Sequence, residues 1–286
     1  MKYIECYNDA VTELRFLGHD EAKLDVGLIM EKVSGISRID WFFKREEEMP
    51  REQEELFDSY IERLKDDEPV SYIIGTRDFM GFTFKVTPDT LIPRQDTENL
   101  CEEVINWAVN NKKKDLSILD LCTGSGCIAI SIKKFLERKG ISGICLGSDI
   151  SEGALSVAEE NAKLNEADVK FVKSDAFKNI EESFDVIVSN PPYIPEKYKD
   201  ELDRKVVDFE PYDALFSGWD GLDFYKIIAK EAKKHLNKEG MLFLEIGCDQ
   251  GESVPEILKA EGYEDIMVKK DYNNLDRVVV AVYRHY

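Results

Sequence analysis

From about residue 115 onward, short apolar runs alternate with segments of helical periodicity, and this alternation restricts the possible folds more than any other property of the chain. Runs at Ile118 to Leu121, Ile144 to Ser148, Lys170 to Lys173, Asp185 to Ser189, Met241 to Ile246, Glu264 to Lys269 and Arg277 to Tyr283 read as strands. Helices such as Ala154 to Leu164 and Leu222 to Leu236 fall between them. Strands separated by helices need crossover connections and therefore make a parallel sheet covered on both faces, whereas the last two runs follow one another directly and make an antiparallel edge. The expected class is α/β, a Rossmann-like, mostly parallel seven-stranded sheet with an antiparallel edge.

The N-terminal part has a different texture. In residues 1–67, Val11, Leu14 and Leu17, then Ala22, Leu24, Val26, Leu28, Ile29 and Val33, recur at helical intervals, and Leu56, Tyr60, Ile61 and Leu64 mark a further stripe. This small helical domain either recognises a substrate or simply packs as a cap. Residues 68–90 are read as a β-hairpin linker, because Tyr72-Ile73-Ile74-Gly75 and Phe79 to Val86 are aromatic and β-branched with glycines for turns. The α/β domain then occupies residues 91–286, entered through Leu91-Ile92-Pro93-Arg94-Gln95-Asp96-Thr97-Glu98 and a helix over Leu100 to Val109 that Thr97 can cap.

Bulk properties exclude several classes. The 286 residues contain no apolar run of about 18 residues, and the sequence opens without a basic-then-apolar leader, which points to a cytoplasmic protein with no membrane partner. A formal charge of −20 opposes tight binding to nucleic acid, so a protein or small molecule is the expected substrate, although the acid also serves solubility alone. The cysteines at 6, 101, 122, 127, 145 and 248 form no metal-ligand or disulfide spacing, and the histidines at 19, 235 and 285 stand in no hydrolase motif.

The first strand of the α/β domain runs into Asp120-Leu121-Cys122-Thr123-Gly124-Ser125-Gly126, a turn whose glycines let backbone approach a ligand at a helix start. By itself this would suit a dinucleotide. Two further carboxylates narrow it. Asp149, followed by Ile150, closes the second strand where it can take both ribose hydroxyls, and Asp175 closes the third where it can take an adenine amino group, with the small Ala176 leaving room for the ring. Asp120 at the turn suits an ammonium better than a pyrophosphate. Any one of these acids is equally explained as a helix cap, but together they describe a nucleoside bearing an amino acid, S-adenosyl-L-methionine, as cofactor.

At the end of the fourth strand stands Asn190-Pro191-Pro192-Tyr193. The amide oxygen of Asn190 and the carbonyl of Pro191 can each accept an N–H, Pro192 cannot donate, and Tyr193 can stack on a plane, so the tetrad suits a flat NH2 group. Arg94 and Glu98 either position a substrate or form a structural ion pair.

The tetrad, the glycine turn, Leu91-Ile92-Pro93-Arg94 and Phe209-Glu210-Pro211 make the chain similar to the PrmC (HemK) family of peptide chain release factor glutamine methyltransferases, over nearly its whole length. The resemblance implies a class I S-adenosylmethionine-dependent methyltransferase domain. It further implies methyl transfer to the glutamine side-chain nitrogen in the Gly-Gly-Gln loop of class I release factors, with Asn190, Pro191 and Tyr193 holding the amide and the helical domain contacting the factor. Cys122 stands where the family most often has glycine, and Gln95 where proline usually follows the arginine. Adenine-N6 methylation of DNA or RNA, and non-catalytic cofactor binding, are the competing expectations.

Overall fold

In the computed structural model, which describes residues 1–15 and 18–285, two compact units separate. One holds Met1–Thr76 with Asp203–Phe209, the other Arg77–Leu202 with Glu210–Tyr286. The first unit is helical: α1 (Tyr3–Glu13), α2 (His19–Ser34), α3 (Arg38–Lys44), α4 (Arg51–Lys65) and α5 (Val70–Ile74), joined by the short helix Arg204–Val207. Gly35, at φ 68°, ends α2, and the Ser37 hydroxyl accepts from the Asp40 N–H to start α3. Phe57, Ile61 and Leu64 of α4 bury one stripe against Leu14, Val26 and Ile29. The stripe therefore passes through Phe57 rather than Leu56, which is exposed, as is Leu24; Leu17 lies outside the described residues.

The expected hairpin begins later than the composition suggests. Tyr72–Ile74 belongs to α5, a single helical turn bounded by Pro69 at its start and left-handed Gly75 at its end. The hairpin itself is β1 (Thr76–Phe79) and β2 (Phe82–Lys85), joined through Met80 and Gly81, both with positive φ, the geometry a two-residue hairpin loop demands. From Arg77 it falls within the α/β unit rather than acting as a spacer. Phe79 and Phe84 enter that unit's core beside Leu100 and Val104, and the Lys85 N–H donates to Asn161 Oδ1 at 2.7 Å.

The second unit continues with α6 (Glu98–Asn110), β3 (Asp115–Leu121), α7 (Cys127–Arg138), β4 (Ser142–Asp149), α8 (Glu152–Leu164), β5 (Lys170–Lys173), β6 (Phe184–Ser189), β7 (Leu236–Glu245), β8 (Glu264–Lys270) and β9 (Asp276–Tyr283). The sheet order is β5-β4-β3-β6-β7-β9-β8, parallel except where β9 runs against both neighbours. Alternate residues of β3 supply opposite faces. Ile118 joins Leu100, Val104, Ile128 and Phe243 on one side; Leu119 and Leu121 join Tyr225, Ile228, Val254 and Leu258 on the other.

One expected boundary moves: the helix beginning at Asp223 ends at Glu231, and β7 starts at Leu236, because Leu236 pairs with Phe184 before the register shifts to Val186 and Met241. Strand order reverses between β3 and β6, so a crevice opens at their carboxyl ends, where ligands bind in open α/β sheets. Among the described residues no helix is long and apolar enough to cross a membrane.

Candidate active site

The turn after β3 is held from inside the protein. Asp120 Oδ2 accepts the Thr123 hydroxyl at 2.6 Å and the Ala129 N–H at 3.1 Å, and the Thr123 N–H donates to the Ser148 carbonyl at 2.9 Å. Cys122, Gly124 and Gly126 all take positive φ (61°, 53° and 79°). At Cys122 a β-carbon in this region costs on the order of 1 kcal/mol, which gives a physical basis for glycine at the position. A β-carbon on Gly126 would sit 3.1 Å from Ala158, so its absence lets α7 and α8 approach. Asn161, fully buried on α8, donates to the carbonyls of Ser125 (2.9 Å) and Lys85 (3.0 Å), clamping turn and hairpin together. Sequence reasoning missed Asn161; its only signal is an amide among apolar helix positions.

A cavity of about 310 Å3 lies over this turn, within the 300–1,000 Å3 usual for small-molecule sites. Asp149 lines it, with Oδ2 accepting the Gly124 N–H at 2.9 Å and Oδ1 the Ser151 N–H at 3.0 Å. Burial raises the Asp149 pKa, while the hydrogen bonds from Ser151 and Gly124 oppose the rise. Each oxygen keeps a lone pair for a ligand hydroxyl. Ser148 Oγ, also at the cavity, is buried with no hydrogen-bond partner among the described residues. Cys122, Thr123, Gly124, Ser125, Ile150, Asp175 and Ala176 complete this end. Carboxylates, open backbone and an unpaired hydroxyl fit a polar nucleoside carrying an ammonium group.

The other end of the same cavity holds Asn190, Pro192, Thr97 and Arg94. The loop after β6 is fastened from several sides. Ser189 Oγ donates to the Leu121 carbonyl at 2.6 Å, and Gln250 Nε2 donates to the Tyr193 carbonyl at 3.1 Å. Asn190 Nδ2 donates to Thr97 Oγ1 at 3.2 Å. Beneath lies Glu245, wholly buried, its pKa pushed up to about 7 by desolvation, with the Thr97 hydroxyl and Arg277 opposing the rise.

Two family models match the chain, the PrmC N-terminal domain over residues 5–75 and the Methyltransferase small domain over 104–208. A release factor glutamine methyltransferase of Lactococcus lactis is 36% identical over 272 residues, covering 94% of this chain and 98% of the relative. One of Clostridium acetobutylicum is 41% identical, with 90% of each chain covered. The chain belongs to the release factor glutamine methyltransferase family. A methyltransferase from Pyrococcus furiosus shares the fold, with a TM-score of 0.53 at 18% identity over 80% of this chain and 100% of that one. For this family member the methyl donor is S-adenosylmethionine.

Not every residue singled out in the sequence reaches the cavity. Asp120 is fully buried and its carboxylate points into the turn, because a β3 residue on the α7 side faces the core. Gly126, Pro191 and Tyr193 do not line the cavity; the Tyr193 ring packs in the core beside the sheet. Arg94 and Glu98 do not pair. Arg94 bonds Glu210, which also accepts the Ile92 N–H at 3.2 Å, and Glu98 accepts the Met80 N–H at 2.6 Å. The extended backbone at Arg94 aims it at the Phe209-Glu210-Pro211 segment, whereas Glu98, opening α6, faces the hairpin. Gln95 begins a 3-10 turn, and Thr97 sits at the α6 start without capping it.

Two measurements follow from this family site. Asp149→Ala should weaken cofactor binding about 10- to 100-fold, the loss of hydrogen bonds to a charged acceptor; calorimetry finding unchanged affinity would remove Asp149 from the cofactor site. Asp120→Asn tests the buried acid. Burial raises Asp120 from 3.8 to about 7, so the folded state holds its proton more tightly than the unfolded chain and stability is lost as pH rises between those values. The variant should therefore be more stable than the parent above about pH 7, by on the order of 1–3 kcal/mol, with the gap closing near pH 4. Melting curves with the opposite trend would contradict that environment.

Proposed function

We propose that the protein transfers the methyl group of S-adenosyl-L-methionine to the side-chain amide nitrogen of the glutamine in the Gly-Gly-Gln motif of class I peptide chain release factors. One observation carries this reading: Asp149, suited to ribose, and Asn190, suited to an amide, line a single cavity. Bound cofactor supplies an electrophilic methyl on a positively charged sulfur. An amide nitrogen is a poor nucleophile because its lone pair is shared with the carbonyl. Asn190 Oδ1, which faces the cavity end, accepts one N–H, draws density back to nitrogen and aims its lone pair along the cavity. Positioning at about 3 Å supplies several kcal/mol of the barrier. As the N–C bond forms, the methyl–sulfur bond would break and leave a neutral thioether, and the nitrogen would then give up one proton to solvent. The apolar walls of Leu91, Pro93 and Phe224 exclude water around the charge that is being neutralised.

The helical unit exposes Ile39, Phe42 and Phe43 on α3, apolar area suited to a protein partner, and we assign it to recognition of the release factor. The reaction belongs to the cytoplasm, where release factors work, with neither nucleic acid nor membrane as direct partner. Nothing favours adenine as acceptor: relatives matched over nine-tenths of the chain are named for glutamine. Mass spectrometry of the release factor after incubation with the protein and cofactor tests the proposal. A gain of one methyl on the Gly-Gly-Gln glutamine is expected; an unmodified glutamine, with methyl found in nucleic acid instead, would overturn it.

A further inference from the structure

We infer that Gln250 is a positioning residue for methyl transfer: it fixes the Tyr193 carbonyl and so the course of the loop 190–193, which, on the reading of Asn190 given above, keeps that amide in place at the cavity. The loop leaves β6 and has no regular structure of its own, so whatever holds its two ends sets its path. Upstream, Ser189 is paired on both sides, with Leu121 of β3 and Leu244 of β7, and its hydroxyl donates to the Leu121 carbonyl. The downstream end has no strand to hold it.

Gln250 takes that part. It is 4% exposed, and its amide is fully used: Oε1 accepts the Gly247 N–H at 2.9 Å, while Nε2 donates to the carbonyls of Tyr193 (3.1 Å) and Gly221 (3.4 Å). An N–H can only donate and a carbonyl can only accept, so these three neighbours allow the amide one orientation. The Gln250 backbone is anchored as well, its N–H on the Gly247 carbonyl at 2.9 Å and its carbonyl taking the Val254 N–H at 3.2 Å in the helix Ser253–Ala260. Residues 215–221 close on the loop from its other side. The Ile194 N–H donates to the Leu215 carbonyl at 2.9 Å, the Ile194 carbonyl accepts the Ser217 N–H at 3.1 Å, and the Glu196 N–H donates to the Gly218 carbonyl at 3.0 Å. Gly221 itself has φ 75°, and a β-carbon on it would lie 2.2 Å from the Tyr193 oxygen and 3.1 Å from Gln250 Nε2. Three stretches of chain thus meet at one carbonyl, three residues from Asn190. The two residues between Asn190 and Tyr193 are prolines, with φ locked near about −65°, so a displaced Tyr193 carbonyl moves Asn190 instead of being absorbed by the loop.

Gln250 does not line the cavity, which separates this role from a catalytic one. Gln250→Met keeps the length of the side chain and deletes its three hydrogen bonds. The expected result is a fall of about 10- to 100-fold in kcat on the release factor, the scale of a misplaced reacting group, with cofactor affinity unchanged by calorimetry. Gly221→Ala leaves Gln250 intact but pushes on the same carbonyl, and should lower kcat likewise. In an Asn190→Ala background neither substitution should cost more than a few-fold, since the group being placed is gone; a merely structural role would cost the same in both backgrounds. Parental kcat in folded Gln250→Met, a loss of cofactor affinity matching the loss of kcat, or an undiminished further loss in the Asn190→Ala background would overturn the inference. Should Gln250→Met fail to fold, Gly221→Ala decides by the same outcomes. If Asn190→Ala itself retained turnover, the functional reading would fall instead, and the two failures are thereby distinguished.

Discussion

Asn190→Ala is expected to lower turnover on the release factor by about two to four orders of magnitude, a loss of roughly 3 to 5 kcal/mol of transition-state stabilisation, while cofactor affinity should stay close to that of the parent. The size follows from what the side chain does. A neutral hydrogen bond in the ground state contributes about 1 kcal/mol, whereas an acceptor aimed where charge develops contributes more, as the nitrogen becomes positive only while the bond to carbon forms. The separation of effects follows from geometry. Asn190 stands at the β6 end of the cavity with Thr97 and Pro192, and Asp149 at the β4 end with Ser148 and Ile150. Steady-state rates at saturating cofactor, with calorimetry for the cofactor alone, read the two ends independently. Near-normal kcat, or a cofactor affinity lost together with kcat, would contradict the assignment of Asn190 to the amide.

The sheet was legible because its signal is redundant. β5 and the C-terminal pair carry their pattern locally, and the order of helices and strands leaves little freedom once parallel crossovers are required. Much of the cavity was legible for a related reason. Asp149 ends β4, Asn190 follows β6 directly and Asp175 stands two residues past β5, and side chains at parallel strand ends share one rim. What escaped was whatever depends on direction rather than position. Asp120 precedes the turn in sequence, but strand alternation points it inward, so it shapes the loop and does not line the cavity. Arg94 and Glu98 look like a pair four residues apart, yet they straddle a change from extended to helical backbone, and each finds a distant partner. Tyr72–Ile74 has strand composition, but Pro69 and Gly75 set the ends of a helical turn, and local backbone constraint outweighs side-chain preference over so short a span. Asn161 and Thr97 act through contacts 36 to 93 residues apart, which spacing in the chain does not encode.

The largest effect on stability is expected at Leu119. It is fully buried at the middle of β3, in register with Leu146 on one side and Ile187 on the other, so the strand is pinned by hydrogen bonds along both edges and cannot sink into the space a truncation leaves. Leu119→Ala should therefore cost about 3 to 4 kcal/mol, toward the upper part of the range for buried leucines, where residual cavity adds to lost transfer energy. Against a total stability of about 5 to 15 kcal/mol this is a large fraction. Ile144→Ala on the neighbouring strand is the control: Ile144 is 62% exposed, so its loss should stay within about 0.5 kcal/mol even though both residues are apolar strand positions. Urea unfolding followed by the fluorescence of Trp107, which packs edge-on to Phe243 in the same unit, measures both. Cofactor at a hundred times its Kd should raise parent and Leu119→Ala alike by about 2.7 kcal/mol. A gap that narrows would mean the truncation improves binding and one that widens that it harms it, since Leu121, two residues further along β3, already lines the cavity. Equal losses at Leu119 and Ile144 would contradict the two-faced core on which the placement of the glycine turn depends.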